Sequence, residues 1–196
     1  MDAQSFAMAY ALTAAVGVRA FITLALASLA MHFGYLHPAP AFKWMGSDGA
    51  TAVLAGLAVV EFLAEKVPAL DNAVHVLHFA TKPVAAALLV GSIVPDNGTV
   101  NATTYVLMAL GGANAVGVHA AQATVRGAST LTTGGIANPF ISIVEDVAAI
   151  GGTILSVALP FVAAIVALVL SVVAILIARA IWRAARAPVV AGQNAP

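Results

Sequence analysis

The stretch Ala14-Ala15-Val16-Gly17-Val18-Arg19-Ala20-Phe21-Ile22-Thr23-Leu24 decides how this chain folds, because it sets an arginine in the middle of an apolar run that extends from about Ser5 to Tyr35. A charge near the centre of a bilayer costs from roughly 2.5 to more than 10 kcal/mol, so such groups turn toward one another or toward a watery cavity. Glu61, Lys82, Glu145 and Asp146 stand in the same predicament, each inside a run that reads as a membrane span. Thr23 follows Arg19 by one turn on the same face. The buried charges therefore outline the inside of a helical bundle.

Composition supports that class. The chain is 62% hydrophobic and only 8% charged, with a mean hydropathy of +1.01, far from soluble-domain averages. Net charge is zero, which leaves no basic surface for nucleic acid. Cysteine is absent, so disulfides and thiolate metal sites are excluded. The five histidines form no tight ligand cluster, so no metal and no cofactor is expected. The Ala-rich stretch near Ala30 resembles a signal cleavage site, but no Lys or Arg precedes it and Arg19 interrupts the apolar core. It reads as a permanent helix.

A span needs about 20 apolar residues at 1.5 Å each, and six runs are bounded by polar or proline-rich punctuation. They cover about 5–35, 50–64, 72–94, 103–124, 139–159 and 160–181. The second is short unless extended by Phe42 to Asp48 or by the Glu65 region, and a re-entrant helix is its rival reading. Six crossings put both ends on one side. That side would collect Lys66, Arg126, Arg179, Arg183 and Arg186 against Lys43 alone, which places both termini in the cytoplasm of a bacterial inner membrane. Residues 187–196 read as a disordered tail after a single transmembrane domain, 1–186.

The sequence also echoes itself. Ala15 to Ala20 (AVGVRA) returns as Ala115 to Ala120 (AVGVHA), Val60-Glu61 as Val144-Glu145, and Pro83-Val84-Ala85-Ala86 as Pro160-Phe161-Val162-Ala163-Ala164. Three crossings per half, 1–96 and 97–186, would make an inverted-topology repeat; the abundance of Ala, Val and Gly is the competing explanation.

Three further groups carry candidate chemistry. Asp71, His75, His78 and Lys82 share one helical stripe by their spacing of four, three and four, fit for a pathway lining or for an interfacial set with a snorkelling lysine. His119, Gln122 and Arg126 make a second stripe. The run Ser129 to Pro139 places Thr132, Thr133, Gly134, Gly135 and Asn138 before a helix carrying Glu145 and Asp146. That turn suits an anion at a helix N-terminus, with Asn138 as cap, or simply a capped connection.

Gly17-Val18-Arg19-Ala20-Phe21, Trp44-Met45-Gly46-Ser47-Asp48, Glu61 with Pro68 and Asp71, and above all Ser129 to Gly135 followed by Asn138-Pro139 and Glu145-Asp146 resemble the bacterial membrane family catalogued as domain of unknown function 4126. Phe79 and Lys82 depart from its apolar or small pattern. The resemblance implies a multispanning membrane protein and no substrate.

The residues alone lead to a small carrier built around Arg19, Glu61 and Glu145, for an anionic or proton-coupled solute. A lipid flippase holding a phosphate headgroup at the Gly134-Gly135 turn is the alternative, and a structural subunit with paired charges the plainest one. Catalysis is not expected, for no nucleophile and base arrangement is present. Membrane lipids and a small-molecule or lipid substrate are the expected partners, and the oligomeric state is left open.

Overall fold

The computed structural model describes residues 2–66, 68–94 and 99–186. It is all-helical. Helix α1 (Ala3–Val18) and helix α2 (Ala20–His32) are followed by a 3₁₀ turn at Pro40–Gly46, then α3 (Asp48–Ala64), α4 (Pro68–Ile93), α5 (Ala102–Thr133), α6 (Asn138–Ala158) and α7 (Pro160–Arg186). Among the described residues three helices are long and apolar enough to cross a bilayer: α4 over Val76–Ile93, α6, and α7 over Pro160–Arg183. The 3₁₀ turn and α3, bent by 61° where they join, make a fourth if counted as one span. The proposed tail at 187–196 lies outside the described residues, as do the side chains of Asp71 and His75.

The helix starts follow local chemistry. Asp2 accepts the Ser5 amide at 2.6 Å, and that bond holds its carboxyl below the ordinary value. Ser47 accepts from the Ala50 amide at the start of α3, and Asn101 and Thr104 form a reciprocal capping box at the start of α5. Phe42 to Gly46 precede the second segment, on the side of the first, as part of a 3₁₀ turn.

The first segment differs from its sequence reading. It is two helices, broken at Arg19, whose backbone is extended (φ −139°, ψ 111°). The limbs hold 16 and 13 residues, about 24 and 20 Å at 1.5 Å per residue. They fold back on each other. Ala9 of α1 packs with Val90 and Val94 at the end of α4, while the Ala39 amide, just beyond α2, donates to the Ser92 carbonyl at 2.8 Å. The outer ends of both limbs thus lie at the same end of α4, and Arg19 forms the apex of a helical hairpin. The echo at Ala115 to Ala120 carries no such break, since α5 runs through His119 without interruption.

Small residues bring the other helices close to this hairpin. A Cβ at Gly17 would lie 2.5 Å from the Val118 Cβ and 2.9 Å from the Ala115 carbonyl, and one at Gly112 would lie 3.2 Å from the Pro83 carbonyl. Around these approaches Leu12, Val16, Ala20 and Leu24 of the hairpin pack with Ala85, Ala86 and Leu89 of α4, Ala115 of α5 and Met45. The long apolar side chains of α3 and α7, by contrast, point outward, the distribution expected of helices whose outer faces meet lipid.

Candidate functional site

Around Arg19, the apex of the hairpin gathers charge from four helices, α3 to α6, and from the turn after α3. Arg19 is fully enclosed. Its Nε lies 2.9 Å from Asp146, its Nη2 lies 3.2 Å from Glu145 and donates to the Ser142 hydroxyl and carbonyl at 2.9 and 3.0 Å, and its Nη1 pairs with Glu65. Arg126 approaches from α5 and pairs with the same two glutamates, through Nε to Glu145 at 3.2 Å and Nη2 to Glu65 at 2.9 Å and to Glu145. Lys66 completes the rim, 2.7 Å from Asp146 and 2.8 Å from Ser142, with its ammonium 4.2 Å from the centre of the Phe62 ring.

The broken backbone is held separately. Interrupting a helix exposes amides at the new N-terminus and carbonyls at the new C-terminus, with partial charges of opposite sign. Glu61 answers the first. Its two oxygens accept from the amides of Ala20, Phe21 and Ile22, each at 3.0 Å, and one of them also lies 3.1 Å from the His78 Nε2. Lys82 answers the second. Its ammonium donates to the carbonyls of Gly17 and Val18 at 2.9 and 3.0 Å and to Gln122 at 3.0 Å. The His119 Nδ1 lies 2.8 Å away; an ammonium can only donate, so this nitrogen accepts and the ring proton sits on Nε2. Phe79 and His78 flank the His119 ring edge-on.

The charges balance. Arg19, Lys66, Lys82 and Arg126 meet Glu61, Glu65, Glu145 and Asp146, half of the eight basic and half of the eight acidic residues in the chain. Burial of ions is tolerable when partners and hydrogen bonds are complete, and here most donors converge on carboxylates or carbonyls.

Of the residues singled out from sequence, Arg19, Glu61, His78, Lys82, His119, Glu145 and Asp146 come together. Asp71 and His75 lie outside the described side chains. Gln122 and Arg126 of the second stripe join the network, as do Glu65, Lys66 and Ser142, which the sequence reading left out of it. Arg126 shared a stripe with His119, which was a usable signal; Glu65 and Lys66 looked like the polar end of a span, because nothing local says that α3 stops at the level of Arg19.

The Gly-rich turn is built differently from its sequence reading. α5 continues through Thr133 and is closed by Gly134 and Gly135 at φ 63° and 86°, a left-handed C-terminal cap. Ala137, not Asn138, occupies the N-cap of α6. Asn138 is the first residue of that helix and donates to Thr130 at 3.1 Å. Thr132 and Thr133 bond back to the carbonyls of Ala128 and Ser129. These hydroxyls are engaged within α5.

Glu61, Glu65 and His78 present ligand atoms within 4.8 Å of one another, the spacing of a metal site. Both Glu61 oxygens are already taken by backbone amides, and Glu65 carries two arginines, so a divalent ion there would face two guanidinium groups. The donor set does not fit a resident metal.

All-helical, with apolar outer faces, a buried ion network at the apex of a broken helix and three to four candidate spans among the described residues, the fold is compatible with a membrane protein. The family model described as Domain of unknown function (DUF4126) matches residues 6–180. The chain belongs to that family. No curated protein and no solved structure matches it.

Proposed function

We propose that the protein is a small proton-coupled carrier of the cytoplasmic membrane, without enzymatic activity, seen with its site closed. The single observation that carries this reading is the broken hairpin, whose two open backbone ends are occupied by side-chain ions of opposite sign, Glu61 and Lys82. Discontinuous helices in carriers present just such ends to substrates and coupling ions near mid-membrane. His78 and His119 stand beside those ions and offer imidazole nitrogens that can take up and pass on a proton. Lys66, partly exposed at the rim, is where the network reaches the surface.

The fold-back at Arg19 changes the orientation derived from sequence. With the hairpin entering and leaving on one face, the end carrying Lys66 and Arg126 is proposed to face the cytoplasm and the N-terminus the opposite side. Two inverted three-helix halves remain supported by the echo of Glu61 in Glu145, and are opposed by the break in α1–α2 that α5 lacks.

A structural role has one observation in its favour: Arg19 is enclosed and paired on every side. The groove between α4 and α5, lined by Pro83, Val84, Met108 and Gly112, is apolar and offers nothing to a phosphate, so the flippase reading gains no support. Proteoliposomes decide between carrier and scaffold. Purified protein should dissipate an imposed pH gradient when its solute is present, and Arg19→Lys and Glu145→Gln should each slow this at least tenfold while eluting as folded protein. No flux from the wild type, across a panel of anionic and cationic solutes, would leave the scaffold reading in place.

A further inference from the structure

We propose that the Lys82 ammonium is the internal occupant of a monovalent-cation site, and that an external cation of ammonium or potassium size enters this site as Lys82 gives up its proton. The inference rests on the carrier reading and names its exchanging ion. Four acceptors surround the Lys82 nitrogen at 2.8–3.0 Å: the Gly17 and Val18 carbonyls, the Gln122 carbonyl oxygen and His119 Nδ1. All four are neutral. The group is 1% exposed, so they have taken the place of water around it. An ammonium on a stem has three hydrogens for these four acceptors, whereas a free spherical ion engages all of them at once. Among the described residues no carboxylate hydrogen-bonds to it, in contrast to Arg19, Arg126 and Lys66, so this cation of the network is held by dipoles rather than by a counter-ion. Dipoles at the end of a half-helix do not distinguish a tethered cation from a free one of similar size.

Charge balance dictates the coupling. With four basic and four acidic groups in the network, an added cation would leave a buried net charge unless a proton leaves. The exchange is Lys82–NH₃⁺ plus M⁺ giving neutral Lys82–NH₂, bound M⁺ and H⁺: the N–H electron pair stays on the lysine, nothing is oxidised, and the site keeps its charge. The charged and titratable groups facing Lys82 are Arg19 at the apex, Glu61 of α3, His78 of its own helix, His119 and Arg126 of α5 and Glu145 of α6; their positive and negative members offset, so release of the lysine proton is the step that makes room. Because one proton leaves per cation bound, apparent affinity should rise with pH, by up to about tenfold per unit while the lysine remains protonated.

The test uses the full chain in detergent, lightly buffered near pH 8. Potassium chloride should release up to one proton per chain and choline chloride at equal ionic strength none, and Lys82→Gln should abolish the release. In wild-type protein labelled with ¹⁵N-lysine, one of three side-chain signals (Lys43, Lys66 and Lys82 are the lysines of the chain) should leave the ammonium region as potassium is added. This measurement stands even if Lys82→Gln fails to fold. Equal release with potassium and choline, or none with an ammonium signal unchanged by potassium, would make Lys82 a permanent helix cap and overturn the site. Proteoliposome flux without cation-linked proton release would sink this inference and spare the carrier; proton release without flux would do the reverse.

Discussion

At the scale of single residues, Arg19 and Glu61 do what no other residue type could do in their positions. The planar guanidinium reaches Glu65, Glu145 and Asp146 in three directions, which a lysine point charge does not reproduce. Arg19→Met should therefore leave buried carboxylates uncompensated and cost about 3–5 kcal/mol, read as a lowered unfolding midpoint in mixed micelles, with Arg19→Lys falling between. Glu61 holds three amides with two oxygens. In Glu61→Gln one oxygen becomes an NH₂ group aimed at N–H donors, so at least one amide of α2 loses its partner, at about 1–3 kcal/mol. An unchanged midpoint in Glu61→Gln would mean that the α2 amides do not depend on this carboxylate. The importance of both residues was legible from sequence, because an ion in an apolar run needs partners. Which partners was not: Glu65, 46 positions from Arg19 in the chain, reads locally as the end of a span.

At the scale of elements, the hairpin depends on close contact between α1 and α5. Gly17 touches Val118 where even a Cβ would collide, so Gly17→Val should force the helices apart at a cost of about 1–3 kcal/mol and loosen the grip of Lys82 on the adjacent carbonyls. Loss of the capping box in Asn101→Ala should cost about 0.5–2 kcal/mol without disturbing the apex, since α5 first meets the ion network 18 residues later, at His119. Equal effects of both substitutions on transport would argue that stability alone, and not apex geometry, governs activity. Helix boundaries set by caps and prolines, such as Asn101 and Pro160, could be read from sequence to within a residue or two. The end of α5 could not: the helix runs nine residues past the apparent limit at Thr124, to Thr133, because polar residues such as Arg126 and Thr130 that seemed to end a span continue the helix into the network.

At the scale of the whole molecule, the fold-back makes a topological prediction that a straight first span does not share. The chain has no cysteine, so Asp2→Cys and Lys43→Cys give clean single labels. With α1 and α2 folded back, both should react with an impermeant maleimide from the same face of sealed vesicles, and Ser129→Cys from the other. Labelling of positions 2 and 43 from opposite faces would restore a continuous first crossing and remove the hairpin.

What the sequence determined is solvent and economy of charge: apolar outer faces for lipid, and a few ions obliged to find one another inside. Only the tertiary structure decided that the first segment breaks at Arg19. No proline stops that helix, and Gly17 lowers the local helix preference by only about 1 kcal/mol. The break persists because Glu61 and Lys82, from distant helices, satisfy the amides and carbonyls it exposes, and a backbone group left unpaired in hydrocarbon would cost more than the helix turn it replaces.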